Sequence, residues 1–218
     1  MSLIKEQQEE EFPLDRDEIV IHNERFARGK TKTFNLSLAR LYDFTELSMP
    51  ICVVRAKKPG PVIFVSGAVH GDEIIGPEII KRLLVHKSLK LKRGTLITIP
   101  IVNVFGFNSC SRYLPDRRDL NRSFPGSAKG SLSARIAHIF LHEVIRKCSH
   151  GIDLHSGAVH RANLPQIRAM IDDQETRELA KAFGAPVILH SKIRDGSIRG
   201  EAEESRVKVL LYEAGEAL

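Results

Sequence analysis

The sequence has no tryptophan, ten phenylalanines and three tyrosines, and only three cysteines in 218 residues. So few flat rings argue against an aromatic platform for stacking single-stranded nucleic acid. Cys52, Cys110 and Cys148 are odd in number, widely spaced and without a CxxC pair, which speaks against a disulfide framework and against a cysteine zinc site. A reducing compartment follows, and a cytoplasmic location is the expectation. No run of about 18 apolar residues occurs. The opening MSLIKEQQEEEF is acidic and polar where a secretory signal would be basic and then apolar. Neither secretion nor a membrane span is expected.

What is present is a mixture of 42% hydrophobic and 28% charged residues, which suits a folded domain able to bury roughly 70% of its unfolded surface. The formal net charge is +6. Residues 1–18 hold seven acids and two bases, so the remaining 200 residues carry +11. These bases are spread along the chain, and RRDLNR at 117–122 is the densest run. Nucleic acid is therefore not the expected partner. A small anionic substrate is, because positive potential steers anions toward a cleft. The acidic stretch 1–18 reads as a mobile leader, and 19–218 as one domain.

Two β segments, KTFNLSLAR and PICVVRAK, are expected between 32 and 56, with DFTELSMP as the turn between them. PVIFVSG is an unbroken apolar run typical of a strand covered on both faces, and Ile79, Ile80, Leu83 and Leu84 behind it follow helical spacing. TLITIPIV reads as a second buried strand, and a long polar loop runs from Asn103 to about Gly130. A helix follows from about Ser133 to Cys148, then HGIDLHSG as a strand. QIRAMI, QETRELAKAF, PVILHS, SIRGEAEESR and VKVLLYEAG continue as strand, helix, strand, helix, strand. The expected fold is α/β, a mostly parallel central sheet with helices on both faces.

In open α/β sheets, functional groups gather beyond the carboxyl ends of the strands. His70 and Glu73 in HGDE follow the first buried strand, and their spacing lets both side chains converge if the segment forms a helical turn. For HxxE alone, Asp72 and Glu73 complementing the start of the next helix is the favoured account. His155 in DLHSG lies at another strand end, where a lone histidine also fits a hydrogen-bonded core residue. Together the three make two imidazoles and a carboxylate, the ligand set of a catalytic zinc site with an open fourth position. Asp153, two before His155 on the same strand face, is placed to orient that imidazole. His160 and His190, also at strand ends, are further candidates. Glu213 in YEAGE ends an apolar strand, where a partly desolvated carboxylate suits a general base, although a solvent-exposed acid fits the segment as well.

VHGDE at 69–73, SRY and RDLNR between 111 and 122, DLH at 153–155 and YEAGE at 212–216 occur together and in order. In these motifs the sequence resembles the succinylglutamate desuccinylase and aspartoacylase family, relatives of the zinc carboxypeptidases, over about residues 62–218. The resemblance implies a zinc carboxypeptidase-like fold with one zinc ion per chain, held by His70, Glu73 and His155. It implies Glu213 as the base acting on zinc-bound water, Arg112 at the tetrahedral oxyanion, and Asn121 with Arg122 on the substrate's free carboxylate. The implied activity is hydrolysis of the acyl amide of a small carboxylate-bearing substrate such as an N-acyl amino acid. A carboxypeptidase or esterase would use the same site. A basic binding protein is the reading outside enzymes.

Two features depart from the family pattern. The first arginine lies farther from Asn-Arg than in aspartoacylase, so Arg117 or Arg118 could share the role of Arg112. The family's further C-terminal β-rich domain is expected to be absent, which would expose apolar surface and favour a homo-oligomer.

Overall fold

The computed structural model describes residues 18–41 and 43–218. The leader assigned to 1–18 therefore lies outside the described residues, apart from Glu18. The described chain opens with a hairpin, β1 (Glu18–Ile21) and β2 (Glu24–Ala27), which the sequence reading did not anticipate. Its signal is short: EIVI alternates exposed and buried positions, with Ile19 and Ile21 turned inward. Two long antiparallel strands follow, β3 (Thr31–Arg40) and β4 (Glu46–Arg55), so most of the segment expected to be a turn is already strand. Strands and helices then alternate: β5 (Val62–Gly67), α1 (Ile75–Val85), β6 (Thr95–Ile99), α2 (Val104–Asn108), α3 (Leu132–Glu143) and β7 (His150–Gly157). The chain closes with β8 (Asn163–Ala169), α4 (Gln174–Phe183), β9 (Val187–His190), α5 (Ile198–Glu204) and β10 (Lys208–Glu216). The long polar loop is not featureless, since it contains α2 and a short 3-10 turn at Leu120–Arg122.

Eight strands form one sheet in the order β3-β4-β6-β5-β7-β10-β8-β9. Its centre, β6-β5-β7-β10, is parallel. The flanks make it mixed: β4 runs antiparallel to β3 and β6, and β8 runs antiparallel to β10. β8 is reversed because only residues 158–162 separate it from β7, too few for the crossover that a parallel neighbour requires. β10 then inserts between the two.

Helices cover both faces, because adjacent residues of a buried strand point to opposite sides. Val65 packs with Ile80 of α1, Leu96 and Leu154 on one face. Phe64 packs with Ile136 and Phe140 of α3 and Ile198 of α5 on the other. Each such side chain contributes about 1.5–3 kcal/mol by leaving water. No helix among the described residues is long and apolar enough to cross a membrane.

One feature of the topology positions the site. From β5 the chain passes through α1 to β6 on one side, and the next sheet strand, β7, lies on β5's other side. The loops leaving β5 and β7 thus diverge and open a crevice at the carboxyl ends of the strands, where ligands of α/β sheets bind.

Candidate active site

The segment after β5 is held in place by close backbone packing. Glu73 N–H donates to the His70 carbonyl at 3.2 Å, closing a tight turn ahead of α1. The segment is thus the expected loop, and α1 begins only at Ile75. Gly71 within it lies against α2, and a Cβ there would stand 2.0 Å from the Gly106 carbonyl carbon. Any side chain at 71 would push His70 and Glu73 out of position. From β7, Asp153 and His155 point to one face, two residues apart.

These pieces meet in a buried chain of contacts. Ser66 Oγ donates to Asp153 Oδ1 at 2.7 Å, and Asp153 Oδ2 lies 2.7 Å from His155 Nε2. His155 Nδ1 is 2.8 Å from Glu73 Oε2, and Glu73 Oε1 is 2.7 Å from His70 Nδ1. His70 Nε2 is 3.1 Å from Asp119 Oδ1, and Arg112 donates to Asp119 Oδ2 at 3.0 Å. Ser156 N–H adds a bond of 3.2 Å to Glu73 Oε2. Burial opposes the charge on Glu73, yet His155 and His70 hold its carboxyl well below the usual carboxylate range. Burial likewise opposes charge on Asp119, which His70 and Arg112 hold low. For His155 burial disfavours the cation, but Asp153 and Glu73 on either side raise it well above the ordinary imidazole value.

His70, Glu73 and His155 each offer a ligand atom, and these atoms lie within 4.8 Å of one another. Both histidines turn Nδ1 toward Glu73 and Nε2 toward an aspartate, so the three candidate ligand atoms face one another while a carboxylate holds each ring from its far side. Two imidazoles and one carboxylate, all buried, match the donor set of a divalent zinc site with a position left open. The residues present therefore fit such an ion.

The cluster lies in a cleft of about 340 Å³ that also takes in Glu213, Arg112, Asn121 and Arg122. Glu213 is the lateral neighbour of His155, directly opposite it across the β7/β10 pair, so the two side chains share a face. Its exposure as a solvent-facing acid is not observed: the side chain is 14% exposed and receives bonds from Asn163, Gln166 and Arg168. Arg112 reaches Glu73 Oε1 at 3.4 Å besides Asp119. Asn121 accepts the Ile198 N–H at 2.9 Å through its side-chain oxygen, so its amide nitrogen remains the group to donate. Arg117 and Arg118 do not line this cleft, nor do His160 and His190. His160 has a side chain 93% exposed.

Sequence reasoning missed Asp119, the β8 donors, and Arg161, Arg194 and Arg199, which also line the cleft. Asp119 sits two residues before Asn121 inside RDLNR, and the i, i+2 spacing of Gln166 and Arg168 on a strand was the available signal for β8. Six guanidinium groups thus face a cleft with three carboxylates, Glu73, Asp153 and Glu213. Burial and the neighbouring Arg168 press the Arg199 guanidinium below its ordinary value, a sign of crowded positive charge.

The profile of the succinylglutamate desuccinylase/aspartoacylase catalytic domain matches residues 59–218. The chain belongs to this family. An N-alpha-acetyl-L-2,4-diaminobutyric acid deacetylase from Halomonas elongata is 33% identical over 144 residues, covering 63% of this chain and 42% of that protein. The product-bound ectoine utilization protein EutE (DoeB) from Ruegeria pomeroyi is 28% identical with a TM-score of 0.75, covering 94% of this chain and 62% of that one. An aspartoacylase family protein from Mesorhizobium loti is also 28% identical with a TM-score of 0.75, covering 84% and 60% of the two chains. This chain spans less than two thirds of the length of each of these relatives.

Proposed function

We propose that this chain is a zinc-dependent deacylase that hydrolyses the acyl amide of a small, carboxylate-bearing substrate such as an N-acyl amino acid. The observation that carries the reading is the buried His70, Glu73 and His155 cluster opening into an arginine-lined cleft beside Glu213. Kinship with a deacetylase of an N-acetyl amino acid supports it. His70, Glu73 and His155 would hold the ion, which when bound supplies a Lewis acid that polarises a carbonyl and makes water easier to deprotonate. Glu213 takes a proton from the attacking water and delivers it to the departing amine nitrogen. Arg112 faces the carbonyl oxygen as it gains negative charge. Arg122, a planar fork matched to a carboxylate, holds the acid end of the substrate with the Asn121 amide. A small anionic compound is the partner, and the cytoplasm the proposed location.

The test compares N-acetyl-L-amino acids, N-acetyl-L-2,4-diaminobutyrate among them, with their carboxamides by release of free amine. The acids should be hydrolysed and the carboxamides at least about 10-fold more slowly, the loss of one charge-assisted contact. Equal rates would remove the carboxylate clamp, and no release from any acid would remove the deacylase reading.

A further inference from the structure

The carboxylate of Glu213 is held by a row of three donors on β8, and the strand is built to deliver them. Glu213 stands opposite Gln166, and Leu211 opposite Arg168. Side chains two apart on a strand share a face, so Gln166 and Arg168 both look toward Glu213. Asn163, three before Gln166, would look away in a regular strand. The ladder breaks, however, between Glu213 and Gly215, and Gly215 pairs with Asn163 where an unbroken register would give Leu164. The extra residue on β8 reverses the alternation and brings Asn163 round to the cleft. Pro165, which has no N–H to give a ladder, stands inside this bulge. As a result Asn163 Nδ2 donates to Glu213 Oε2 at 2.6 Å, Gln166 Nε2 approaches the same oxygen at 3.4 Å, and Arg168 donates to Oε1 at 3.1 Å.

We infer that Arg168, seconded by Asn163, is a positioning residue for the reaction: it fixes the Glu213 carboxylate beside His155 and acts on substrate only through it. This rests on the reading of Glu213 as the base. Of the Arg168 donors, Nη1 is committed to Glu213 Oε1, while Nε is buried without a hydrogen-bond partner. The rival role is a direct grip on the substrate's carboxylate, since Arg168 lines the same cleft.

The experiment uses Arg168→Gln, Arg168→Lys, Glu213→Gln and the double variant Arg168→Gln/Glu213→Gln, with the N-acetyl-L-amino acid that wild type hydrolyses fastest. Arg168→Gln should lower kcat about 10-fold or more, with KM within about 2-fold of wild type and metal content unchanged. Arg168→Lys, which keeps the charge, should recover most of that loss. In the Glu213→Gln background the Arg168→Gln change should cost nothing further, because the group it positions is already gone. A crystal structure of Arg168→Gln should show the Glu213 carboxylate displaced. The inference is overturned if KM rises while kcat stands, if the loss persists undiminished in the Glu213→Gln background, or if Glu213 does not move. Failure of the underlying reading has its own signature, an active Glu213→Gln enzyme with intact metal.

Discussion

Two aspartates decide which nitrogen each histidine of the cluster turns inward. Asp153 takes His155 Nε2 and Asp119 takes His70 Nε2, which leaves both Nδ1 atoms on Glu73. At the far end of the same network, Arg112 is anchored on Asp119 and Glu73, while Arg122 bonds its own loop at the Asn121 carbonyl. The two arginines should therefore answer differently to substitution. Arg122→Ala should mainly raise KM for acidic substrates by about 10- to 200-fold, the equivalent of roughly 1.5–3 kcal/mol for a charge-assisted bond. Arg112→Ala should mainly lower kcat, because its contact strengthens only as charge develops on the reacting oxygen. Steady-state kinetics on an N-acetyl amino acid separates them, and a kcat loss in Arg122→Ala with KM unchanged would reverse the assignment. That His70, Glu73 and His155 converge in one cleft with Glu213 was legible because each lies in a short motif near a strand end. The contacts of Asp119 and Arg168 were not, since they reach residues 49 and 45 positions away.

At the scale of elements, the alternation of apolar runs and helical spacing gave the central strands and α1, α3, α4 and α5. The hairpin β1/β2 was not read, because its four-residue strands bury only Ile19 and Ile21 on β1 and Phe26 on β2, too little to make a pattern. The HGDE segment is the loop that the sequence indicates between the first buried strand and its helix, with α1 starting at Ile75. The reversal of β8 was also hidden, as it follows from loop length and from the later insertion of β10. A cap illustrates how firmly the outer helices are tied. Asp173 accepts from Thr176 N at 2.8 Å and from Thr176 Oγ1 at 2.7 Å, and Lys208 Nζ lies 3.0 Å away. The Thr176 bonds first, and Lys208 after them, pull its carboxyl down to about 2. A depressed folded-state value means the stabilisation is complete above the ordinary carboxylate pKa of about 4 and is lost as pH falls through about 2. Asp173→Ala should thus cost up to about 1 kcal/mol near neutral pH, at the low end because the group is partly exposed. Urea denaturation should show the gap between variant and wild type closing between about pH 4 and pH 2. A gap independent of pH would mean the cap is not what the variant loses.

The whole molecule is a mixed sheet with a parallel centre, and the reversal of strand order around β5 opens the crevice where His70 and His155 meet. The sequence predicted the parallel centre from its buried runs, but strand order depends on pairings that no local pattern encodes. It also located the basic charge only as a spread along the chain. Folding gathers six arginines around one cleft. The central claim is that this crevice holds a catalytic metal on His70, Glu73 and His155. Elemental analysis of the protein after zinc loading and dialysis, beside the His155→Ala variant, tests it most directly. The account predicts about one zinc per chain in the wild type and its loss in the variant, with three protein ligands reduced to two. A wild type that retains no zinc, or a His155→Ala protein that retains as much, would contradict it.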